Sequence, residues 1–529
     1  MKRILLNTKI SKIYIISVIL ITLLLLTSYF SYAMFTVTKE KSNAISIVTG
    51  TLSYDLKVDN VSTESLVVPA NSIKEFIITL SNPNSRIARF NFYYIGDLSS
   101  EIELGYLEEA NFNTPPEEPG INLEKQGTIS SSNTYKIKVR NTSDNEITIP
   151  LGVGVGLDYN DLNLPSNGHL FVKYNASTLD KILVDNKVQV SKDNMFNYAS
   201  NGMKFGADTV DPNYITPGVY KAIDEDGVSY YFRGSIDNNN IKFGKYDEDY
   251  YVYNYYDSYF QSLESCQEYN SNCTESNKIK LASSGDDMYL KIVRVNGDGS
   301  LRLIYNGTNT SINDNDLATS YIIGFAPYNL IYDDPKYTGY TYDNGVDSFI
   351  KKEVDTWYNN TLGKNNAYDD KVIEGRFCSD SSGYTAVKDY GINRDYMGFS
   401  SYDRIHQLVD GKGEDISPTL ICPNTNESYG GSYKLKAGLI TVDELIFSGE
   451  NLEVTSDSYL SVDNFRYYTM TPADFRNNVP TIWDQLDALH IIFIFSTQLN
   501  SDGIRPVINL NSDVILSGSG TMDNPYTVQ

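Results

Sequence analysis

The sequence predicts an exported, multidomain chain built from an apolar N-terminal helix, an all-β sandwich and an α+β domain. Three observations predict it. Residues 13–38, IYIISVILITLLLLTSYFSYAMFTVT, carry no charge and follow the cations Lys2, Arg3, Lys9 and Lys12. From residue 44 to about 175, short runs rich in β-branched and aromatic residues alternate with turn-forming clusters. From residue 216 onward, hairpin patterns are mixed with two amphipathic helical patterns.

About 20 apolar residues in a helix cross the hydrocarbon core of a bilayer. The cationic flank before residue 13 keeps the N-terminus cytoplasmic when the segment is not cleaved. Residues 1–38 fit two readings. Ser31, Tyr32 and Ala33 are small or cut-compatible residues behind an apolar core, as in a secretory signal. The run is long for a signal and is followed by Lys39 and Lys41, as in a membrane anchor. Either reading sends residues 39–529 to the extracytoplasmic face of the membrane or the cell surface.

The β-domain is expected over residues 39–175. AISIVTGTLSYDLKV, KEFIITLSN, RIARFNFYYI, TYKIKVRN, EITIPLGVGVGL and LFVKYN read as its strands. Asn82, Pro83, Asn84 and Ser85 make one turn cluster, and residues 141–145 another. Gly152, Gly154 and Gly156 are spaced like a phosphate loop, but a loop and not a helix follows, so they read as a closely packed Gly/Val strand. Residues 176–215 read as a connector in which 178–185 form a short amphipathic helix.

The α+β domain covers residues 216–529. GVSYYFRGSI, NNIKFGKY, MYLKIVRV and SLRLIYNG read as strands, and Asn296, Gly297, Asp298 and Gly299 as a hairpin turn. That turn lacks the acid spacing of an EF-hand calcium loop. Residues 246–287 read as an acidic, Tyr-rich insertion. Ile350, Val354, Trp357 and Tyr358 form one apolar helical stripe. Thr441 and Glu444 fit a capping box at the start of a second helix. The stretch from Asp474 to Asn500 reads as irregular and is followed by terminal strands.

Composition sets the function classes. The chain has 529 residues and a formal charge of −24, from 43 basic and 67 acidic residues. Phosphate backbones need basic patches, so no nucleic-acid partner is expected. Acid excess suits a solvated surface protein, with weak structural Ca2+ as the most that is expected by way of a cofactor. Tyr is abundant (43) while Trp (2) and His (3) are scarce. AT-rich coding accounts for this bias; a glycan- or protein-binding surface built on rigid tyrosines is the other account. Cys266, Cys273, Cys378 and Cys422 lie in an exported part, where disulfides persist, and 266–273 with 378–422 is the expected pairing. Zinc is disfavoured because the spacing is loose and no His is close. No Gly-x-Ser-x-Gly elbow and no His-Glu-x-x-His occurs, and His169, His406 and His490 fall in separate regions. Two carboxylates could still serve glycoside hydrolysis; a non-catalytic protein is the favoured reading.

Two resemblances extend this. Tyr32, Ala33, Met34, Phe35 and Thr36, running into AISIVTGTL, resemble the export segment and first strand of the TasA/camelysin group of Gram-positive surface proteins. Met34 departs from the usual Tyr of that group. The resemblance covers the first third of the chain and implies a β-sandwich, with a matrix or fibre subunit as one outcome. YYFRG, VDTWYNNTL, GLITVDEL, YYTMTPADF and GIRPVINLNSDVILSGSG occur in an order similar to a set of Gram-positive surface proteins. Trp357, Tyr358 and Asn359, the segment 467–472 and Ile504, Arg505, Pro506 and Val507 resemble landmarks of C-type-lectin-like domains shared with formylglycine-generating enzymes. The late cysteine pair of those enzymes is missing here, so their catalysis is not implied. The resemblance implies a lectin-like head for glycan or surface-protein ligands, with contacts at Tyr467, Tyr468, Trp483 and Arg505. Arg505 also reads as a buried cation that locks the terminal strand.

Overall fold

The computed structural model describes residues 52–84, 88–107, 121–123, 132–156, 164–174, 177–186, 217–308, 321–331, 339–341, 347–379, 396–399, 401, 418–422, 432–450, 458–462, 466–476, 479–485 and 502–529, together with Val18, Ile21 and Thr22. Those three lie within the apolar run 13–38; the rest of that run lies outside the described residues. Among the described residues no helix is long and apolar enough to cross a membrane. His406 and His490 also lie outside.

Strands dominate, and the chain divides into two units, residues 1–176 and 177–529. In the first unit two antiparallel sheets share one core, which fits the expected sandwich. Strands Asp55–Val58, Ser72–Ser81, Ser132–Asn141 and Ile102–Tyr106 lie in that order in one sheet. Ser65–Val68, Ile147–Gly156, Ala88–Ile95 and Ile121–Leu123 form the other, with Gly168–Leu170 also paired to Ala88–Ile95. Alternation places the side chains: Phe76, Ile78 and Leu80 point inward while Glu75 and Ile77 point out. They meet Ile137 and Val139 of their own sheet and Leu66, Phe90, Phe92, Ile149 and Val153 of the other. Each such side chain, fully buried, contributes roughly 1.5–3 kcal/mol.

The Gly/Val run is a strand, Ile147–Gly156, with Gly152 opposite Tyr93. A Cβ at position 152 would overlap the Tyr93 ring. Three strands escape the sequence patterns: Ser65–Val68, Ile102–Tyr106 and Ile121–Leu123. In LFVKYN the pairing stops at Leu170, and the following residues are irregular apart from one bridge between Lys173 and Tyr106.

The second unit starts earlier than the expected connector allows. The helix Thr178–Asp185 opens with a capping box between Ser177 and Asp180. It packs on the C-terminal segment of its own unit: Tyr526 donates to Asp185 at 2.9 Å and Asn186 donates to Tyr526 at 3.2 Å. Residues 177–186 thus belong to the unit, because buried hydrogen bonds tie them to it.

Two sheets make up most of this unit. The larger runs Val372–Ile373, Val507–Leu510, Leu301–Tyr305, Asp287–Val295, Asn240–Lys245, Tyr526–Val528 and Leu516–Ser517, with Gly218–Asp224, Gly227–Arg233 and Ala437–Gly438 attached. The other runs Lys278–Ala282, Tyr250–Tyr255, Ser258–Phe260, Gly324–Ala326, Asp502–Ile504, Tyr467–Arg476 and Tyr396–Gly398, with Val479–Gln485 paired to Tyr467–Arg476. The stretch 246–287 is therefore no appendage: it supplies three strands of this sheet. Of the stretch expected to be irregular, 474–476 and 479–485 are strand, with Asp474 and Thr481 hydrogen-bonded to each other across the pair, and 477–478 and 486–500 lie outside the described residues.

Both expected helices are present. Phe349–Asn360 is capped by Ser348 and buries Ile350, Val354, Trp357 and Tyr358. Trp357 meets Tyr305 edge to face at 5.5 Å. Val442–Ser448 carries the Thr441–Glu444 capping box and ends at Gly449, whose φ of 106° suits a residue without a Cβ. Arg233 donates to the carbonyls of Ile446 and Phe447 at that helix end. Both expected disulfides, Cys266–Cys273 and Cys378–Cys422, are formed.

Candidate functional site

Arg294 and Arg302 stand opposite each other across the hairpin that turns at Asn296. Both side chains are buried, and the cost of burying a charge demands partners. Glu444, at the third position of the helix Val442–Ser448, supplies one carboxylate for both. It accepts from Arg294 Nε at 3.1 Å and Arg302 Nη2 at 3.1 Å, and from the Thr441 amide. Asp224 takes Arg294 Nη1 at 2.7 Å and the amides of Asp226, Gly227 and Gly297. Arg302 also lies over the Phe377 ring at 4.4 Å. Two cations thus match two anions.

Burial alone would raise the Glu444 carboxyl; Arg302 and Arg294 outweigh it and hold the group below the ordinary glutamate value. Burial lowers the Arg302 guanidinium, with Glu444 opposing.

Arg294, Arg302 and Glu444 of this quartet line a recess of about 450 Å3, open mouth included, walled by Glu225, Arg376, Asp443, Thr419 and the Cys378–Cys422 bridge. The bridged segment is pinned at both ends: Thr419 N donates to Asp443 at 2.9 Å, and Cys422 N donates to Glu225 at 2.6 Å. A second recess, about 530 Å3 with its open mouth included, adjoins it through Glu225, Arg294 and Arg376, with Asp226, Asp298, Glu374 and Lys434 on its walls. Arg376 faces Glu225 at 3.8 Å and Asp226 at 3.6 Å. The described walls offer charged hydrogen-bonding groups but no histidine and no free thiol. Such an arrangement can hold a polar ligand; it lacks a nucleophile paired with a base. Among the described residues no group of three or more His, Cys, Asp or Glu is placed to hold a metal ion.

The four contacts expected from the sequence lie elsewhere, in the interior. Tyr467, Tyr468 and Trp483 are fully buried and Arg505 is 1% exposed. Tyr467 and Arg505 come together, the guanidinium 5.0 Å from the ring centroid. Arg505 donates to the Tyr305 carbonyl, the Leu460 carbonyl and Asn306 Oδ1. Trp483 Nε1 donates to Ser401. Tyr468 meets Tyr328 edge to face. His169 stacks on Tyr94 and reaches Asp97 at 3.2 Å.

A third feature is at the surface. Between Tyr250–Tyr255 and Ser258–Phe260 the chain reverses through Tyr256 and Asp257 alone, since Tyr255 pairs directly with Ser258. Both turn residues are left-handed, with φ of 47° and 61°. Each such L-residue costs about 1–2 kcal/mol, which is why Asn-Gly usually fills this turn. Tyr256 is 81% exposed, and its ring meets Tyr255 edge to face at 4.6 Å.

The recess had a sequence signal that the motif reading passed over. Arg294 sits two residues before Asn296 and Arg302 two after Ser300, so a hairpin there must bring them face to face. The Tyr256–Asp257 turn was legible as a two-residue gap without glycine inside YYVYNYYDSYF.

Comparison of the chain with protein-family models, with curated proteins and with solved structures finds no match.

Proposed function

We propose that the chain is an exported, membrane-anchored cell-surface protein whose larger unit binds a glycan or surface-protein ligand without catalysis. The smaller unit is then a sandwich of the TasA/camelysin kind beside the membrane, and the larger a C-type-lectin-like head. One observation carries the reading: the recess framed by Cys378–Cys422. Its floor charges are neutralised by buried pairs, while Glu225 and Arg376 stand at its walls and Glu374 and Lys434 at those of the adjoining recess. Buried, mutually paired groups give a preformed site with little to reorganise on binding. An extracytoplasmic compartment agrees with two disulfides and no free cysteine among the described residues.

The test uses the full chain purified in detergent, printed against a glycan array and against surface-protein extracts. The expected result is saturable binding that R376A weakens at least tenfold. Binding that R376A and E225Q leave unchanged would remove the recess from the account.

A further inference from the structure

The hairpin tip at Tyr256 and Asp257 presents two chemically distinct groups on one strained turn. Among the described residues of the larger unit, the Tyr256 ring is the most exposed large apolar side chain, at 81%. Asp257 is exposed, and its carboxylate has no hydrogen bond or ion pair among the described residues. Neither residue helps the fold at these positions. The left-handed φ of 47° disfavours Tyr256, whereas Asp257 tolerates its φ of 61° better, and Asn-Gly would close the same hairpin with less strain. Sequence and local structure conflict here, and such conflicts concentrate at sites kept for function.

The turn is also held firmly. Asn277 Nδ2 donates to the Asn254 carbonyl at 2.9 Å, just before the tip. Tyr253 donates to both oxygens of Glu275 at 3.2 Å. Beneath it, the Cys266–Cys273 bridge closes the helix Leu263–Tyr269 onto the following loop. Tyr255 braces the Tyr256 ring in a T-shaped pair, with the ring centroids 4.6 Å apart. A rigid aromatic face gives contact area at small entropic loss.

From this juxtaposition we infer that the Tyr256–Asp257 turn is a binding point for a neutral sugar ring, separate from the recess. The Tyr256 face carries negative quadrupole density that attracts the C–H face of a pyranose. Asp257, an acceptor with two oxygens, takes hydrogen bonds from adjacent hydroxyls of the same ring. The carboxylate at the tip and the chain's charge of −24 select against sulfated or uronic-acid polymers and nucleic acid. A folded protein partner fits less well. Stable protein interfaces need roughly 800 Å2 on each side, whereas Asp249, Glu275, Lys278 and Lys280 surround the exposed aromatics of this sheet with charge.

The assignment deepens the proposed glycan reading but rests on different residues, so the two fail separately. The strain supplies an unusual control. Y256N/D257G removes both contact groups and installs the turn's preferred residues, so it should fold with an unchanged or raised melting temperature.

The experiment titrates the full chain in detergent with maltohexaose, cellohexaose, xylohexaose and mannohexaose, and with oligogalacturonate as the anionic probe. Wild type is expected to bind at least one neutral hexaose and to bind oligogalacturonate at least tenfold more weakly. Y256N/D257G is expected to lose at least tenfold in affinity for that hexaose, while Y256F stays within about twofold. Equal binding by wild type and Y256N/D257G overturns the inference, as does no binding to any neutral hexaose. A loss seen with R376A but not with Y256N/D257G overturns it too and leaves the recess reading standing.

Discussion

Glu353 Oε2 accepts the Gln261 backbone N–H at 2.6 Å, so a fully buried carboxyl group on the helix Phe349–Asn360 anchors the segment that carries Cys266. Burial pushes this group up to about 7 from 4.5, against the opposing effects of Ser265 and the Gln261 amide. Tyr250 faces the same carboxyl, and Glu268 adds a like charge. A value higher in the folded state means that protonation favours the fold. The contribution is complete below the unfolded value near 4.5 and is lost as pH rises through about 7. The full shift corresponds to about 3 kcal/mol.

E353Q keeps an acceptor for Gln261 and never ionises. Urea midpoints should therefore fall less between pH 5 and pH 8 in E353Q than in wild type, by an amount equivalent to about 2–3 kcal/mol. A residual slope of the same sign remains. Burial pushes Asp502 up to about 6, with Arg466 opposing, and burial followed by Asp502 raises Asp484. Identical pH profiles for E353Q and wild type would show that Glu353 does not titrate in this range.

Glu444 has the opposite sign. Its folded value lies below the ordinary one, so its stabilisation is present above about pH 4.5 and fades as pH falls further. At neutral pH, E444Q leaves Arg294 and Arg302 with one carboxylate, Asp224, between them. Removing one partner of a buried ion pair costs about 3–5 kcal/mol. R376A breaks only partly exposed pairs, worth about 0–1 kcal/mol. Denaturant melts at pH 7 should rank E444Q far below R376A; equal losses would mean that water reaches the quartet.

The disulfides should differ in weight. Cys378–Cys422 closes a separation of 44 residues and Cys266–Cys273 one of 7. Loop-closure entropy gives about 4 kcal/mol for the longer and about 2 kcal/mol for the shorter. C378A/C422A should therefore lower the denaturation midpoint more than C266A/C273A. The reverse order would indicate that the short loop is held chiefly by native packing of its two fully buried sulfurs.

These residues show which parts of the fold the sequence makes legible. Capping at Thr441, the amphipathic pattern over 178–185 and the stripe from Ile350 to Tyr358 are local signals, and each became a helix. The Asn296 turn is likewise local, with Asn296 N donating to the Ser300 carbonyl. That the cysteines are bridged followed from compartment and count, whereas which of the three possible connectivities forms did not. Non-local pairing was not legible. Ser258–Phe260 looked like part of an insertion because its partner, Gly324–Ala326, lies more than sixty residues downstream in the chain. The same limit hid the recess, whose walls come from residues near 225, 300, 376, 420 and 444. Tyr467, Trp483 and Arg505 could be read as contacts only while their burial was unknown. Large polar-tipped side chains serve cores and surfaces equally well when their tips find partners.

Gly152 tests a place where close approach requires a glycine in the smaller unit. It faces Tyr93 across the antiparallel pair, and the Tyr93 ring occupies the space that a Cβ would need. In G152A the ring must leave its position or the strands must separate. Overpacking of this kind costs about 1–3 kcal/mol. The clash depends on the ring, so Y93A/G152A should lose less stability than the sum of the two single changes. An interaction of about 1 kcal/mol or more is expected for residues in direct contact. Alanine also has the better β-propensity, which makes the sign of the single change diagnostic. Strict additivity, or a stabilised G152A, would place the origin of the Gly/Val pattern in composition and not in packing under Tyr93.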